Sequence, residues 1–111
     1  MARPPDLRVL DAARMVAADI DRLIDRFALP SPGLLRDDAE AIAVHIKDGF
    51  GHQAGNERDH AWRRARNCAE RASERLRAHF AAQRLPAAPY WAAHHRLMAI
   101  SKMLIAMLSD A

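Results

Sequence analysis

The sequence predicts an all-α protein, an antiparallel up-down-up-down four-helix bundle. Apolar residues recur every three or four positions in four segments, and no segment alternates every second residue as a strand does. Alanine, arginine and leucine, which lose little side-chain entropy in a helix, are the commonest residues. Short breaks rich in proline or glycine separate the segments, and such short loops join antiparallel neighbours.

The first two helices are predicted near residues 6–28 and 34–50. Asp6, after two prolines, is the expected N-cap of the first helix. Its apolar stripe contains Leu10, Ala13, Ala17, Ile20, Ile24 and Phe27. The stripe of the second helix contains Leu35, Ala39, Ile42, Ile46 and Phe50. Gly49, Gly51 and Gly55 are expected to end this helix, because glycine adopts the left-handed C-terminal cap without steric cost.

The third and fourth helices are predicted near residues 56–84 and 89–109. Asn56 is the expected N-cap of the third helix, and Pro89 suits the first turn of the fourth. The third helix has the clearest stripe, formed by Trp62, Ala65, Ala69, Ala72, Leu76 and Phe80. The stripe of the fourth helix contains Tyr90, Leu97, Ser101, Leu104 and Leu108.

The length of 111 residues predicts a single domain, residues 1–111. Cys68 is the only cysteine, so an intrachain disulfide is impossible, and we interpret the lone thiol as a packing residue in a reducing compartment. No apolar stretch approaches the roughly 18 residues of a membrane span. These features predict a cytoplasmic protein without a membrane partner.

Neither a metal centre nor a catalytic site is predicted. A carboxylate-bridged di-metal bundle needs a Glu-x-x-His pair on two helices, and only Glu57 and His60 have that spacing. The first and fourth helices contain no glutamate. The sequence also lacks a nucleophile elbow and a glycine-rich phosphate loop after a strand. We therefore expect no metal, no cofactor and no enzymatic activity.

The net charge of +3 is concentrated in the third helix, where residues 56–84 hold eight arginines against four acids. One face alternates in sign and is interpreted as solvated: Asp59, Arg63, Arg66, Glu70, Glu74 and Arg77. Another face carries Arg64, Arg71 and Arg75 without an acid on that face, which suits phosphate contacts and makes these residues nucleic-acid-binding candidates. Alternatively, the three arginines meet acids of another helix or subunit; the first helix offers Asp11, Asp19, Asp21 and Asp25.

The fourth helix is apolar on a second side, where Trp91, Met98 and Ile105 are candidates for an oligomer interface. The alternative is that this broad helix lies deep within its own bundle. We favour self-association, because four-helix bundles seldom enclose a helix on all sides.

The stretch Ile42-Ala43-Val44-His45-Ile46-Lys47-Asp48-Gly49-Phe50-Gly51-His52 resembles the Ile-Pro-Ser-Asn-Ile-Ala-Glu-Gly-Phe-Gly-Arg signature of four-helix bundle proteins encoded in intervening sequences of bacterial 23S rRNA genes. The opening Leu7-Arg8-Val9-Leu10 is similar to the family's Leu-x-Val-Trp start, and Ile100-Ser101-Lys102-Met103-Leu104 is similar to its usual close. Ala43, His45, Asp48 and His52 depart from the signature, so the chain resembles a divergent member.

This resemblance implies a four-helix bundle without known enzymatic activity that assembles into a homopentamer. It also implies kinship with the accessory proteins of diversity-generating retroelements, which are basic, pentameric and bind nucleic acid and a reverse transcriptase. The sequence thus predicts a noncatalytic oligomer that presents its basic third helix to structured RNA, to DNA or to a nucleoprotein partner. The alternative is a purely structural scaffold or protein-interaction module that binds no nucleic acid.

Overall fold

Four helices make up most of the computed structural model, which describes the backbone of residues 5–109 and the side chains of residues 7–108. They are α1 (Pro5–Phe27), α2 (Pro32–Phe50), α3 (Asn56–Ala81) and α4 (Ala87–Ser109). Across residues 5–109 the chain forms no strand, and the all-α prediction is confirmed. Helix α1 begins at Pro5, so Asp6 lies within the helix and the prediction that it is the N-cap is wrong; its side chain lies outside the described residues.

The helices form a four-cornered bundle. Each helix contacts its neighbours in the order α1–α2, α2–α3, α3–α4 and α4–α1, so α1 lies diagonally opposite α3. Because the connections are short, successive helices run antiparallel, as the sequence predicts. Within the described range, no helix has both the length and the apolar character that a membrane crossing requires.

The helix ends differ from the predicted bounds by at most three residues. Helix α2 begins at Pro32, because the first turn of a helix does not use the N–H group that proline lacks. Helix α3 ends at Ala81 because Gln83 turns into the left-handed region with φ of 61°. The Arg84 N–H then returns to the His79 carbonyl at 2.9 Å, which satisfies an acceptor at the helix end.

Two further capping predictions are wrong. Asn56 is the first residue of α3, and Gly55, with φ of 152°, occupies the N-cap position instead. Gly51 has φ of −78°, in the right-handed region, so α2 does not end in a left-handed glycine cap. Instead α2 ends in a tighter turn with hydrogen bonds between residues three positions apart. The Gly51 N–H donates to the Asp48 carbonyl at 3.0 Å, and the His52 N–H donates to the Gly49 carbonyl at 3.2 Å.

The core consists of one buried stripe from each helix. The predicted stripes are buried or half-buried throughout, and the structure adds Val9, Val16, Ala93 and Ile100. Aromatic pairs lie toward both ends of the bundle. Phe80 stacks on Tyr90 with ring centroids 4.4 Å apart, and Phe50 packs edge-on against Trp62 at 5.4 Å.

Gly49 is a contact residue and not a cap. It lies within α2, is buried, and faces the indole ring of Trp62 on α3. A Cβ atom at Gly49 would lie 3.0 Å from Cε2 of that ring and closer still to Nε1 and Cδ1. The interpretation of Gly49 as a C-terminal cap is therefore wrong, because a side chain at this position would prevent α2 from approaching α3 so closely.

Candidate functional site

The candidate site lies on α3, on the side that faces α2. Arg64, Arg71 and Arg75 lie seven and four residues apart, which places them along about 16 Å of helix. We call these three residues the α3 arginine face. Because all three are on one helix side, the structure brings together the residues that the sequence identified.

An acid of α2 contacts two of these arginines. Nε of Arg71 donates to Oδ1 of Asp38 at 3.2 Å, and Nε of Arg75 donates to Oδ2 of the same carboxylate at 2.7 Å. The sequence-based alternative offered acids of α1 as partners, and that assignment is wrong because α1 lies diagonally across the bundle. The interpretation that an acid of another helix meets the face is therefore correct for Arg71 and Arg75.

The acids of α1 pair with other arginines. Arg36 of α2 donates to Asp21 at 2.6 Å and to Asp25 at 2.9 Å, which joins α1 to α2. Asp19 forms ion pairs with Arg22 on its own helix and with Arg96 of α4. These pairs hold α1 against both of its neighbours.

One carboxylate does not neutralise the α3 arginine face. The side chain of Asp38 is 13% exposed, whereas the side chains of Arg71 and Arg75 are 54% and 36% exposed. Both guanidinium groups contact Asp38 through Nε, and a guanidinium carries five N–H donors in total. In the described part of the chain Arg64 forms no ion pair. Three guanidinium groups against one carboxylate leave a local surplus of two positive charges.

His45 of α2 adds no charge to this face at neutral pH. The side chain is half-buried, and burial lowers its pKa most, followed by the positive charge of Arg64. Arg71 lowers the pKa further, whereas Asp48 raises it. The positive charge of the face therefore comes from its arginines.

Cys68 lies beneath the face and is a packing residue. It is buried, and burial raises the pKa of its thiol despite the nearby charge of Arg71. Nη2 of Arg71 donates to Sγ of Cys68 at 3.2 Å. A protonated, covered thiol is a poor nucleophile, which agrees with the interpretation from the sequence.

The histidines contact different partners. His79 is buried, and its Nδ1 accepts a hydrogen bond from Nε of Arg84 at 3.1 Å. Nδ1 of His94 lies 3.0 Å from Oγ of Ser73, and His52 lies between Asp48 and Glu57. Among the residues described, no three His, Cys, Asp or Glu side chains are grouped for a metal ion.

The face of α3 that alternates in sign is mostly solvated, except that the Asp59 side chain is 16% exposed and pairs with Arg58. Arg66 lies 3.7 Å from Glu70 and Arg77 lies 4.0 Å from Glu74, both as pairs within the helix. Most of these side chains are exposed, so the pairs contribute little stability. This face serves as an internal comparison for the α3 arginine face, since Arg66 and Arg77 meet acids of their own helix.

A second open surface lies on α4. Trp91, Met98 and Ile105 are 46%, 43% and 46% exposed, and their seven-residue spacing places them along one side of the helix. We call them the α4 apolar stripe. The alternative that helix 4 lies deep within its own bundle is wrong for this side, because the bundle leaves these three large side chains nearly half uncovered.

Sequence reasoning missed Asp38. The residue precedes Ala39 of the buried α2 stripe, and residues beside a stripe face an adjacent helix. That position could have identified Asp38 as an interhelical acid. Its partner could not be identified, because the order of the helices around the core is not visible in the local pattern.

Fold and site define a four-helix bundle that presents an arginine face on one helix and an apolar stripe on the next. No family model matches the sequence, and no curated protein matches it. Among solved structures, the chain is similar to a protein of unknown function from the S23 ribosomal protein family of Bacteroides thetaiotaomicron. The TM-score is 0.87 at 15% sequence identity, over 96% of this chain and 99% of that chain. This similarity shows that the two chains share a fold.

Proposed function

We propose that this protein is a noncatalytic, self-associating bundle that binds structured RNA through the α3 arginine face. The proposal rests on the positive charge of Arg64, Arg71 and Arg75. Among the described side chains, Asp38 is the one carboxylate that pairs with this face, and it contacts Arg71 and Arg75. Phosphate oxygens accept hydrogen bonds from arginine in the same fork geometry as carboxylates do. Asp38 holds two of the three groups side by side, which prepares them for adjacent phosphates.

The choice of RNA draws support from relatives. The sequence resembles proteins encoded in 23S rRNA intervening sequences, and the similar solved structure is described as a member of the S23 ribosomal protein family. Membership of this family is part of the proposal. Phosphate contacts orient a protein on nucleic acid without reading bases, so the arginine face accounts for affinity and not for choice of sequence.

The test compares two triple variants of α3 that remove equal charge. One is Arg64→Ala, Arg71→Ala, Arg75→Ala, and the control removes Arg63, Arg66 and Arg77 from the solvated face. Filter binding to a structured RNA and to duplex DNA is measured over a range of salt concentrations. Each lost phosphate contact lowers the slope of log K against log salt by about 0.9 on duplex DNA, and by about 0.7 on single strands.

We expect wild-type binding to weaken steeply with salt. The first triple variant should lose about two to three units of slope on duplex DNA, and the control should keep most of it. If both triple variants lose affinity equally, only net charge matters and the α3 arginine face is not the site. An absence of wild-type binding at low salt would favour the structural scaffold.

The exposed α4 apolar stripe supports self-association. A single 12.4 kDa chain leaves Trp91, Met98 and Ile105 half uncovered, and burying such a stripe against another copy is favourable. Five subunits are proposed from the family resemblance alone. In this proposal the two surfaces are separate, because the arginines of α3 face α2 and the apolar stripe lies on α4.

Sedimentation velocity tests the assembly. Met98→Glu, at the centre of the α4 apolar stripe, should dissociate the oligomer, because assembly would bury an unpaired charge. The control Ala99→Glu adds the same charge at an exposed position outside the stripe. A wild-type monomer at micromolar concentration would contradict self-association. Dissociation of the Arg64, Arg71, Arg75 triple variant would instead place those arginines in subunit contacts.

A further inference from the structure

A cleft between α1 and α4 lies on the opposite side of the bundle from the α2–α3 pair. Its volume is about 660 Å³, within the range of small-molecule sites. We propose that this cleft binds a small amphipathic anion, a carboxylate with an apolar chain. The proposal is independent of RNA binding, because none of the residues of the α3 arginine face lines the cleft.

The cleft exists because α4 has short side chains where it faces α1. Ala92 and Ala93 lie in its second turn, and Pro89 lies one turn earlier. Leu23 of α1 is half-buried on the other wall. Arg96, the next α4 residue in the lining, reaches Asp19 on α1, and the floor beside this pair is apolar and accessible to an apolar chain.

The rim of the cleft is cationic. Arg22 and Arg26 lie one turn apart on α1, and Arg96 lies on α4. Asp19 pairs with both Arg22 and Arg96, so one carboxylate holds these two guanidinium groups together where Arg96 reaches from α4 to α1. Asp25 also lines the cleft, but its carboxylate accepts from Arg36 of α2.

Arg26 is the anchor for an anion. Its guanidinium carbon lies 5.1 Å from the centroid of the Phe27 ring, and within the described chain it pairs with no carboxylate. Three guanidinium groups and two carboxylates leave the cleft with one surplus positive charge. An anionic head would pair with Arg26 while its apolar chain covers Leu23 and Ala93. A cation is disfavoured by the rim, and an anion without an apolar part would leave the floor uncovered.

Isothermal titration calorimetry with octanoate tests the proposal, and octan-1-ol serves as the uncharged comparison. Arg26→Ala removes the anchor, and Arg14→Ala removes another exposed arginine of α1 as its control. Ala92→Phe places an aromatic ring in the cleft, and Ala99→Phe places the same ring elsewhere on α4. All four substituted residues are exposed, so replacing them should not disturb the core.

We expect saturable binding of one octanoate per chain. Arg26→Ala should weaken it at least tenfold, the usual effect of removing a charged hydrogen-bond donor, and octan-1-ol should bind at least tenfold more weakly. Ala92→Phe should abolish binding, and both controls should retain it. The proposal is wrong if octanoate does not saturate, if Arg26→Ala binds equally well, or if Ala99→Phe loses as much as Ala92→Phe. It is also wrong if octanoate fails to bind and Ala92→Phe changes the sedimentation coefficient, because a second copy then occupies the cleft.

Discussion

Replacing Gly49 by alanine tests the closest approach between α2 and α3. In an exposed helix interior this change stabilises by about 1 kcal/mol, because glycine has the larger conformational freedom to lose. Here the added methyl group would lie 3.0 Å from Cε2 of Trp62 and closer still to Nε1 and Cδ1. The outcome depends on whether the indole ring can move.

The ring is held from several directions. Nε1 of Trp62 donates to the Ile46 carbonyl at 3.3 Å, Phe50 packs edge-on against the ring, and the Arg58 guanidinium lies 4.6 Å from its centroid. Overpacking a core costs about 1–3 kcal/mol. A buried N–H without its partner costs about 1–3 kcal/mol more. After the helix preference of alanine is subtracted, Gly49→Ala should destabilise by about 3 kcal/mol.

Urea unfolding followed by far-ultraviolet circular dichroism, at one protein concentration, measures this loss. With a slope of about 1–3 kcal/mol per molar urea, the midpoint should fall by about 1 M or more. Gly33→Ala is the matched control in the same helix, because a Cβ there meets no atom within 4 Å, and its midpoint should hold or rise. In a Trp62→Leu background the cost of Gly49→Ala should largely disappear. A midpoint unchanged by Gly49→Ala, or an equal loss in both backgrounds, would refute the close contact.

Three further predictions concern the core and its titrating groups. Leu76 is fully buried, so Leu76→Ala should cost about 2–5 kcal/mol in the same urea experiment, and a loss below about 1 kcal/mol would contradict its place in the core. Burial lowers the pKa of His45 and of His79 in the folded state, so the unfolded chain binds these protons more readily. Stability from this source is therefore complete above about pH 6.5 and falls as the pH drops below that value. A His45→Gln, His79→Gln double variant should show a shallower loss between pH 7 and 5, and an unchanged loss would assign the effect to other groups. Burial also raises the pKa of the Cys68 thiol, so iodoacetamide should label it far more slowly in the native protein than in urea, and equal rates would show that Cys68 is accessible.

Much of the candidate site could be predicted from the sequence. The helical period places Arg64, Arg71 and Arg75 on one side of α3, and it places Trp91, Met98 and Ile105 on one side of α4. The carboxylate that meets two of the arginines could not be predicted. The sequence analysis offered the acids of α1 and not Asp38, because the local pattern does not show the order of the helices around the core.

The cleft between α1 and α4 also could not be predicted from the sequence. Ala92 and Ala93 are ordinary helix residues in a pattern of apolar positions, and Arg26 is an ordinary surface arginine. Their common location depends on α4 lying next to α1, which closes the bundle between the two ends of the chain. The helical period of the sequence shows which side of each helix is buried, but it does not show that α4 packs against α1.

By itself the sequence determined that this chain is helical, where its four helices lie and which side of each is buried, because propensity, the breaks at proline and glycine and the 3.6-residue period are local properties. Only the tertiary structure decided that Gly49 is a contact residue, that Asp38 meets Arg71 and Arg75, and that α1 and α4 enclose a cleft. Each of these features is a distance between residues on different helices. Such distances follow from how the buried stripes pack together, and short-range patterns do not specify that packing.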